Sequence, residues 1–131
     1  MTTPTLPATP DQFVPTFAEN FNTGDLDRAV AAYAHDAVLN LGGGQVFAGR
    51  DAIRAPLANF LAPGLPIAVS PLSTTVSGDY AFVTFDWTIT GSDPAGNPVA
   101  LAGRASEVLR REPVGWRQLL DLPFSAATDA A

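Results

Sequence analysis

The sequence predicts a single α+β domain. Three N-terminal helices pack on a curved, mainly antiparallel sheet, made of a small hairpin and four long strands, that encloses a pocket. Three observations lead there. Apolar residues recur at helical spacing as far as Leu61. From Leu65 onward the spacing becomes strand-like, punctuated at Gly78-Asp79, at 91–98 and at Pro113-Val114-Gly115. The length of 131 residues suits one core and not two. The domain is expected over residues 9–124, between disordered tails at 1–8 and 125–131 that are small, polar or Ala-rich.

Thr9-Pro10-Asp11-Gln12 has the form of a capping box with proline at the first helical position, and Phe13, Phe17 and Phe21 follow at four-residue spacing. Because Pro15 cannot donate an interior helical hydrogen bond, the helix is expected to start nearer Phe13. Asn22-Thr23-Gly24 stops it. Asp25 then caps a second helix, with Leu26, Ala29, Val30 and Tyr33 along one face and His35 at its C-terminus. Two short apolar runs, 37–41 and 45–48, flank Gly42-Gly43-Gly44 and read as a small hairpin. A third helix opens at Gly49-Arg50-Asp51, carries Ile53, Leu57, Phe60 and Leu61, is bent by Pro56, and ends at Pro63-Gly64. The four long strands follow at 65–76, 80–90, 99–111 and 116–122. Pro66 and Pro71 assign the first of these to an edge or a bulge.

Composition excludes several function classes. The net charge of −6 argues against nucleic-acid and anionic-membrane partners. No apolar run reaches the roughly 18 residues of a membrane helix, and Met1 to Pro10 has neither the basic nor the apolar stretch of a signal peptide. With no cysteine and one histidine, disulfides, thiol chemistry and a zinc site are not expected, and no cofactor is called for. A cytoplasmic location is the default expectation.

Glu107 is the residue that sets the functional question. It lies in Gly103-Arg104-Ala105-Ser106-Glu107-Val108-Leu109, which reads as a central strand, and a carboxylate there requires a polar pocket or a different register. Alternation groups Glu107 with the small Gly103 and Ala105 and with Leu109, the wall of a cavity. In the preceding strand Val83, Phe85, Trp87 and Ile89 oppose Phe82, Thr84, Asp86 and Thr88. Since both sets carry large groups, the face bearing Phe85 and Trp87 is expected to be the outer, homodimer-forming face, which turns Asp86 inward beside Glu107.

Gly24-Asp25-Leu26, Tyr33-Ala34-His35-Asp36-Ala37 and Phe47-Ala48-Gly49-Arg50-Asp51-Ala52-Ile53, followed by Asp86 to Gly91, Gly103 to Arg111 and Gly115-Trp116 through Phe124, resemble an uncharacterised bacterial subgroup of SnoaL-like and ketosteroid-isomerase-like domains. These belong to the nuclear transport factor two-like superfamily, and the likeness covers about residues 10 to 124. It implies a cone-shaped pocket and, usually, a dimer through the outer sheet face. It does not imply a reaction, because this fold hosts isomerases, cyclases, dehydratases, epoxide hydrolases and proteins without chemistry. Ketosteroid isomerase places a carboxylate base on the small hairpin, a tyrosine on helix one and a protonated acid on the third long strand. Glu107 falls at the protonated acid, but the tyrosine position falls at Phe17 and the base position at or near Leu41, beside Asn40. Two of the three roles are missing, which rejects steroid isomerisation by that mechanism.

The candidate catalytic residues are therefore Glu107, Asp86 and Asp121, and the candidate pocket wall is Phe17, Tyr33, Leu41, Phe60, Phe82, Thr84 and Leu109. Glu107 reads either as an acid or base tuned by apolar walls or as a structural carboxylate held by an arginine or a tryptophan N–H. Asp121 reads either as the catalytic acid that some hydrolase relatives carry there or as a strand-end carboxylate bonded to backbone N–H groups. His35 reads as a helix cap ahead of a base, and Gly42-Gly43-Gly44 as a turn. Two functions fit: a cofactor-independent isomerase, cyclase or hydratase-type enzyme acting on an apolar oxygenated molecule, or a non-catalytic ligand-binding or dimerisation module.

Overall fold

A computed structural model describes residues 3–126. A short 3₁₀ turn, Pro10–Gln12, leads into α1 (Phe13–Asn22), followed by α2 (Leu26–Ala31), β1 (Tyr33–Asn40), β2 (Val46–Ala48), α3 (Arg50–Leu61), β3 (Ile67–Ser77), β4 (Tyr80–Ser92), β5 (Pro98–Glu112) and β6 (Gly115–Ala126). The strands form one sheet in the order β2-β1-β6-β5-β4-β3. All neighbours are antiparallel except β1 and β6, which run parallel. The three helices, the small hairpin and the long four-stranded meander are those the sequence predicts.

Local chemistry accounts for the boundaries. The Thr9 side chain makes no capping bond, and α1 begins at Phe13. Pro15 then lies in the first turn, where the backbone N–H has no helical partner to lose. Asp25 does cap α2, its Oδ1 accepting from Arg28 N at 3.2 Å. Pro71 sits on the edge strand β3 beside a register shift, between Pro71 and Ser73, which absorbs its missing donor.

Three expectations are corrected. α2 ends at Ala31, so Tyr33, Ala34 and His35 belong to β1. His35 is accordingly an exposed strand residue and not a helix cap, its side chain 87% accessible. In the segment expected to be an N-terminal tail, Thr5 N donates to Asn20 Oδ1 and Thr5 O accepts from Asn20 Nδ2, while Trp116 N donates to Pro7 O. At the other end β6 runs on to Ala126, and the rest of the expected C-terminal tail lies outside the described residues.

The third correction concerns the faces of the sheet. Val83, Phe85, Trp87 and Ile89 are buried against α1 and its neighbours, while Phe82 is exposed and Thr84 and Asp86 half-buried on the other side. Phe85 and Trp87 are therefore not on an outer face, and Asp86 does not point inward. The register shows why: β4 pairs with β5 as Val83↔Glu107, Phe85↔Ala105 and Trp87↔Gly103, so these residues share one face with Glu107. A second core, built from Ala29, Val30, Leu39, Ile53 and Leu57, joins α2 and α3 to β1.

A buried carboxyl pair in an aromatic pocket

Between the helices and the concave side of the sheet lies a pocket with about 420 Å³ of empty volume including its open mouth. Its walls are largely aromatic, with Phe17 and Phe21 from α1, Phe60 from α3, and Phe85 and Trp87 from β4. Its polar groups are Tyr33, Glu107 and Asp121.

Those three converge through strand register. Glu107 on β5 stands opposite Asp121 on β6, and β6 lies between β5 and β1, where Tyr33 starts the strand opposite Gln118. Strict alternation would send Gln118 and Asp121, three residues apart, to opposite faces. A register shift in the β5–β6 pairing between Val108 and Leu109 removes that conflict, and both side chains are buried on the inner side. Glu107 is 1% and Asp121 5% exposed.

The hydrogen bonds determine how the pair holds its charge. Tyr33 Oη donates to Asp121 Oδ2 at 2.5 Å, and Gln118 Nε2 donates to Glu107 Oε1 at 2.9 Å. Glu107 and Asp121 face each other across the β5–β6 pairing with both carboxyls buried, an arrangement that favours one shared proton over two negative charges. Burial pushes the Glu107 carboxyl well above the ordinary carboxylate range, and the Asp121 charge and hydrogen bond push it further, against the Gln118 amide. Burial also raises Asp121, but its hydrogen bonds from Glu107 and Tyr33 oppose the rise. Burial thus favours the protonated form of both carboxyls, reinforced at Glu107 by the Asp121 charge and opposed at Asp121 by its hydrogen bonds. The Tyr33 phenol is held well above its usual value by burial first and by the two carboxyl groups next, which keeps it a donor.

No cation neutralises this pair among the described residues. Arg104 binds Asp86, Arg110 binds Asp36 and Glu112, Arg111 binds Asp79, Arg54 binds Asp27, and Arg117 binds Glu112. Arg28 donates to Asn20 and Thr5, and Arg50 to the Tyr33 and Ala31 carbonyls.

Of the predicted site residues, Glu107 and Asp121 meet in the pocket, with Phe17, Tyr33 and Phe60 in its lining. Leu109 is buried in the core beside it. Leu41, Phe82 and Thr84 do not line it, and Asp86 is on the outer side. There Arg104 Nε and Nη2 donate to the two Asp86 carboxylate oxygens at 2.7 and 3.0 Å. Asp86 and Glu107 therefore occupy opposite faces, and Asp86 does not stand beside Glu107 in the pocket. Two contributors are not evident from the sequence. Gln118 is indistinguishable from a surface glutamine until the β6 irregularity turns it inward. Trp87, expected on the outer face, instead has an indole that crosses the pocket rim to donate from Nε1 to Pro123 O at 2.8 Å and packs edge-on against Phe60 and Phe124. Gly103 makes that crossing possible, since a Cβ there would lie 2.7 Å from Trp87 Nε1 and 2.5 Å from Pro123 O.

The pattern of the SnoaL-like domain matches residues 14–113. No curated protein matches the chain by sequence. Among solved structures, a ketosteroid isomerase-like protein from Erwinia carotovora atroseptica is 24% identical, with 81% of this chain and 85% of that chain covered at a TM-score of 0.69. An NTF2-like protein with a cystatin-like fold from Novosphingobium aromaticivorans is 20% identical, covering 88% and 80% of the two chains at 0.67. A protein named as a candidate calcium/calmodulin dependent protein kinase II association domain from Xanthomonas campestris is 19% identical, covering 98% and 96% at 0.71. At these identities the likeness is one of fold. No helix of the described residues is long and apolar enough to cross a membrane.

Proposed function

The chain belongs to the SnoaL-like domain family, and we propose that it binds a small, apolar, oxygen-bearing molecule and moves a proton on it with the Glu107–Asp121 pair. The observation that carries this reading is the pairing of two buried carboxyl groups in one pocket with no arginine between them. In such a pair one member is an acid and the other a base at the same pH, which is the requirement for isomerase, cyclase or hydratase-type chemistry without a cofactor. Glu107 is the proton donor, Asp121 the acceptor, and Tyr33 orients Asp121 and is a second donor toward a substrate oxygen. Gln118 positions Glu107. Apolar walls exclude water from the transfer.

Carbon-13 NMR titration of labelled Glu and Asp carboxyls tests the proposal. One carboxyl titrating far above the ordinary range, and vanishing as a separate resonance in Glu107→Gln, is the expected result. Two carboxylates fully ionised at pH 7 would remove the acid from the mechanism and leave the alternative, a ligand-binding module without turnover.

A homodimer through the outer face of the sheet is part of the same proposal, with different contact residues from those the sequence suggested. Register aligns Phe82, Val108, Leu120 and Val38 as one apolar row across β4, β5, β6 and β1. Phe82, 47% exposed, is its most prominent member. Sedimentation should show a dimer for the native chain and a monomer for Phe82→Asp; a native monomer at micromolar concentration overturns it. A cytoplasmic location also belongs to this proposal.

A further inference from the structure

The charge left in the pocket has chemical consequences for what enters it. A carboxyl pair sharing one proton carries a net negative charge, and here both carboxyls are buried in a pocket walled by aromatic rings. Buried charges ordinarily sit beside an opposite charge, because hydrogen bonds from neutral donors only partly replace the lost hydration. The neutral Tyr33 and Gln118 side chains are the donors to this pair, and the arginines are engaged elsewhere. The surrounding walls are rich in the groups that attract a cation: the aromatic rings of Phe17, Phe60, Phe85 and Trp87 line the same cavity.

An anionic ligand is disfavoured on both counts, since it would meet like charge and no basic side chain. A neutral ligand would leave the pair as it is. A protonated amine would supply the missing positive charge, donate charge-assisted hydrogen bonds to Asp121, and rest its apolar substituents on the rings.

We infer that the pocket selects a small organic cation, a protonated amine on an aromatic or alicyclic body, as the group that neutralises the Glu107–Asp121 pair within its aromatic walls. The inference rests on the proton-sharing pair proposed above and adds an amine to the substrate class named there.

Benzylamine, benzyl alcohol and benzoate have nearly the same shape and differ in charge, so titration of the wild-type chain with each by calorimetry or NMR isolates the charge. Benzylamine is expected to bind at least about tenfold more tightly than benzyl alcohol, about 1.4 kcal/mol, with benzoate weakest. In Asp121→Asn the preference for benzylamine over benzyl alcohol should fall to within about twofold, roughly 0.4 kcal/mol. Equal or tighter binding of the alcohol or of benzoate, or no binding by any of the three, overturns the inference, and the wild-type comparison decides this even if the variant does not fold. Failure here with a high-titrating carboxyl in the carbon-13 experiment discards the amine and leaves proton transfer standing. A fully ionised pair in that experiment discards the proton-transfer reading instead.

Discussion

Glu107→Gln is the perturbation that reports most directly on the carboxyl pair, because glutamine imitates the protonated acid and cannot ionise. The side-chain carbonyl can still accept from Gln118 Nε2, and the new amide N–H can take the place of the acid proton toward Asp121. The native chain is different. Burial and the Asp121 charge raise the folded Glu107 above its unfolded value of 4.5, so between those two values the folded state binds more protons than the unfolded one. Native stability therefore falls as pH rises from the ordinary carboxylate range through the folded value, and is greatest below it. One proton of difference corresponds to about 1.4 kcal/mol per pH unit within that window. The Glu107→Gln substitution removes that proton, so the variant should lose stability less steeply, gaining on the native chain by up to this amount with each pH unit. Asp121 shifts in the same direction, which leaves the variant a residual slope. Urea denaturation at fixed protein concentration from pH 5 to 8 reads the effect directly. With a slope of roughly 1–3 kcal/mol per molar urea, the midpoints should diverge by about 0.5–1.4 M per pH unit. Parallel midpoint curves for the two proteins would refute the reasoning, since they mean that Glu107 folds in the charge state it has when unfolded.

Three other variants separate the parts of the site. Tyr33→Phe deletes the donor to buried Asp121 Oδ2 and should cost about 1–3 kcal/mol in the same denaturation experiment; an unchanged midpoint would mean that Asp121 does not depend on the phenol. Gly103→Ala places a Cβ against Trp87 Nε1 and Pro123 O, so it should displace the indole, alter tryptophan emission and cost roughly 1–3 kcal/mol; unchanged emission would show that Trp87 does not need the glycine. Asp86→Asn breaks the Arg104 pair on the outer side and should leave ligand affinity and the carboxyl titration of the pocket unchanged, as NMR will show. A change in either would place Asp86 back in the functional unit.

The helices and turns are legible because their signals are local. Asp25 does cap α2, Pro71 does lie at an irregular point on an edge strand, and Gly42, Gly43 and Gly44 do all take positive φ in the hairpin turn. Glu107 is legible as an inward-facing carboxylate because it alternates with small residues in an apolar strand, and Ala105 lines the same pocket. What a single segment does not carry is how two strands count against each other. Ala29, Val30 and Tyr33 fit a helical stripe that extends α2 too far, yet Tyr33 is drawn into the sheet, opposite Gln118 on β6. Nothing within the segment distinguishes those outcomes.

The inverted faces of β4 show the same limit and also how it can be overcome. Thr84, Asp86, Thr88 and Thr90 form a polar set and Val83, Phe85, Trp87 and Ile89 an apolar one, which by itself assigns the second set to the core. Phe82 makes the polar set look apolar and draws the assignment the wrong way. In the β4–β5 hairpin each paired couple shares a face, and the turn at Asp93–Asn97, closed by Asp93 N donating to Asn97 O, sets odd residues opposite odd ones. Once Glu107 is placed inside, Val83 must be inside with it, and with Val83 go Phe85 and Trp87. The aromatic walls and the buried carboxyl are thus a single consequence of one hairpin register, and a slip of one residue would turn β5 over against β4, bringing Arg104 inward in place of Glu107. The lack of a basic partner follows from that register, since it leaves Arg104 with Asp86 on the far side of the sheet and Glu107 with no arginine to pair with among the described residues.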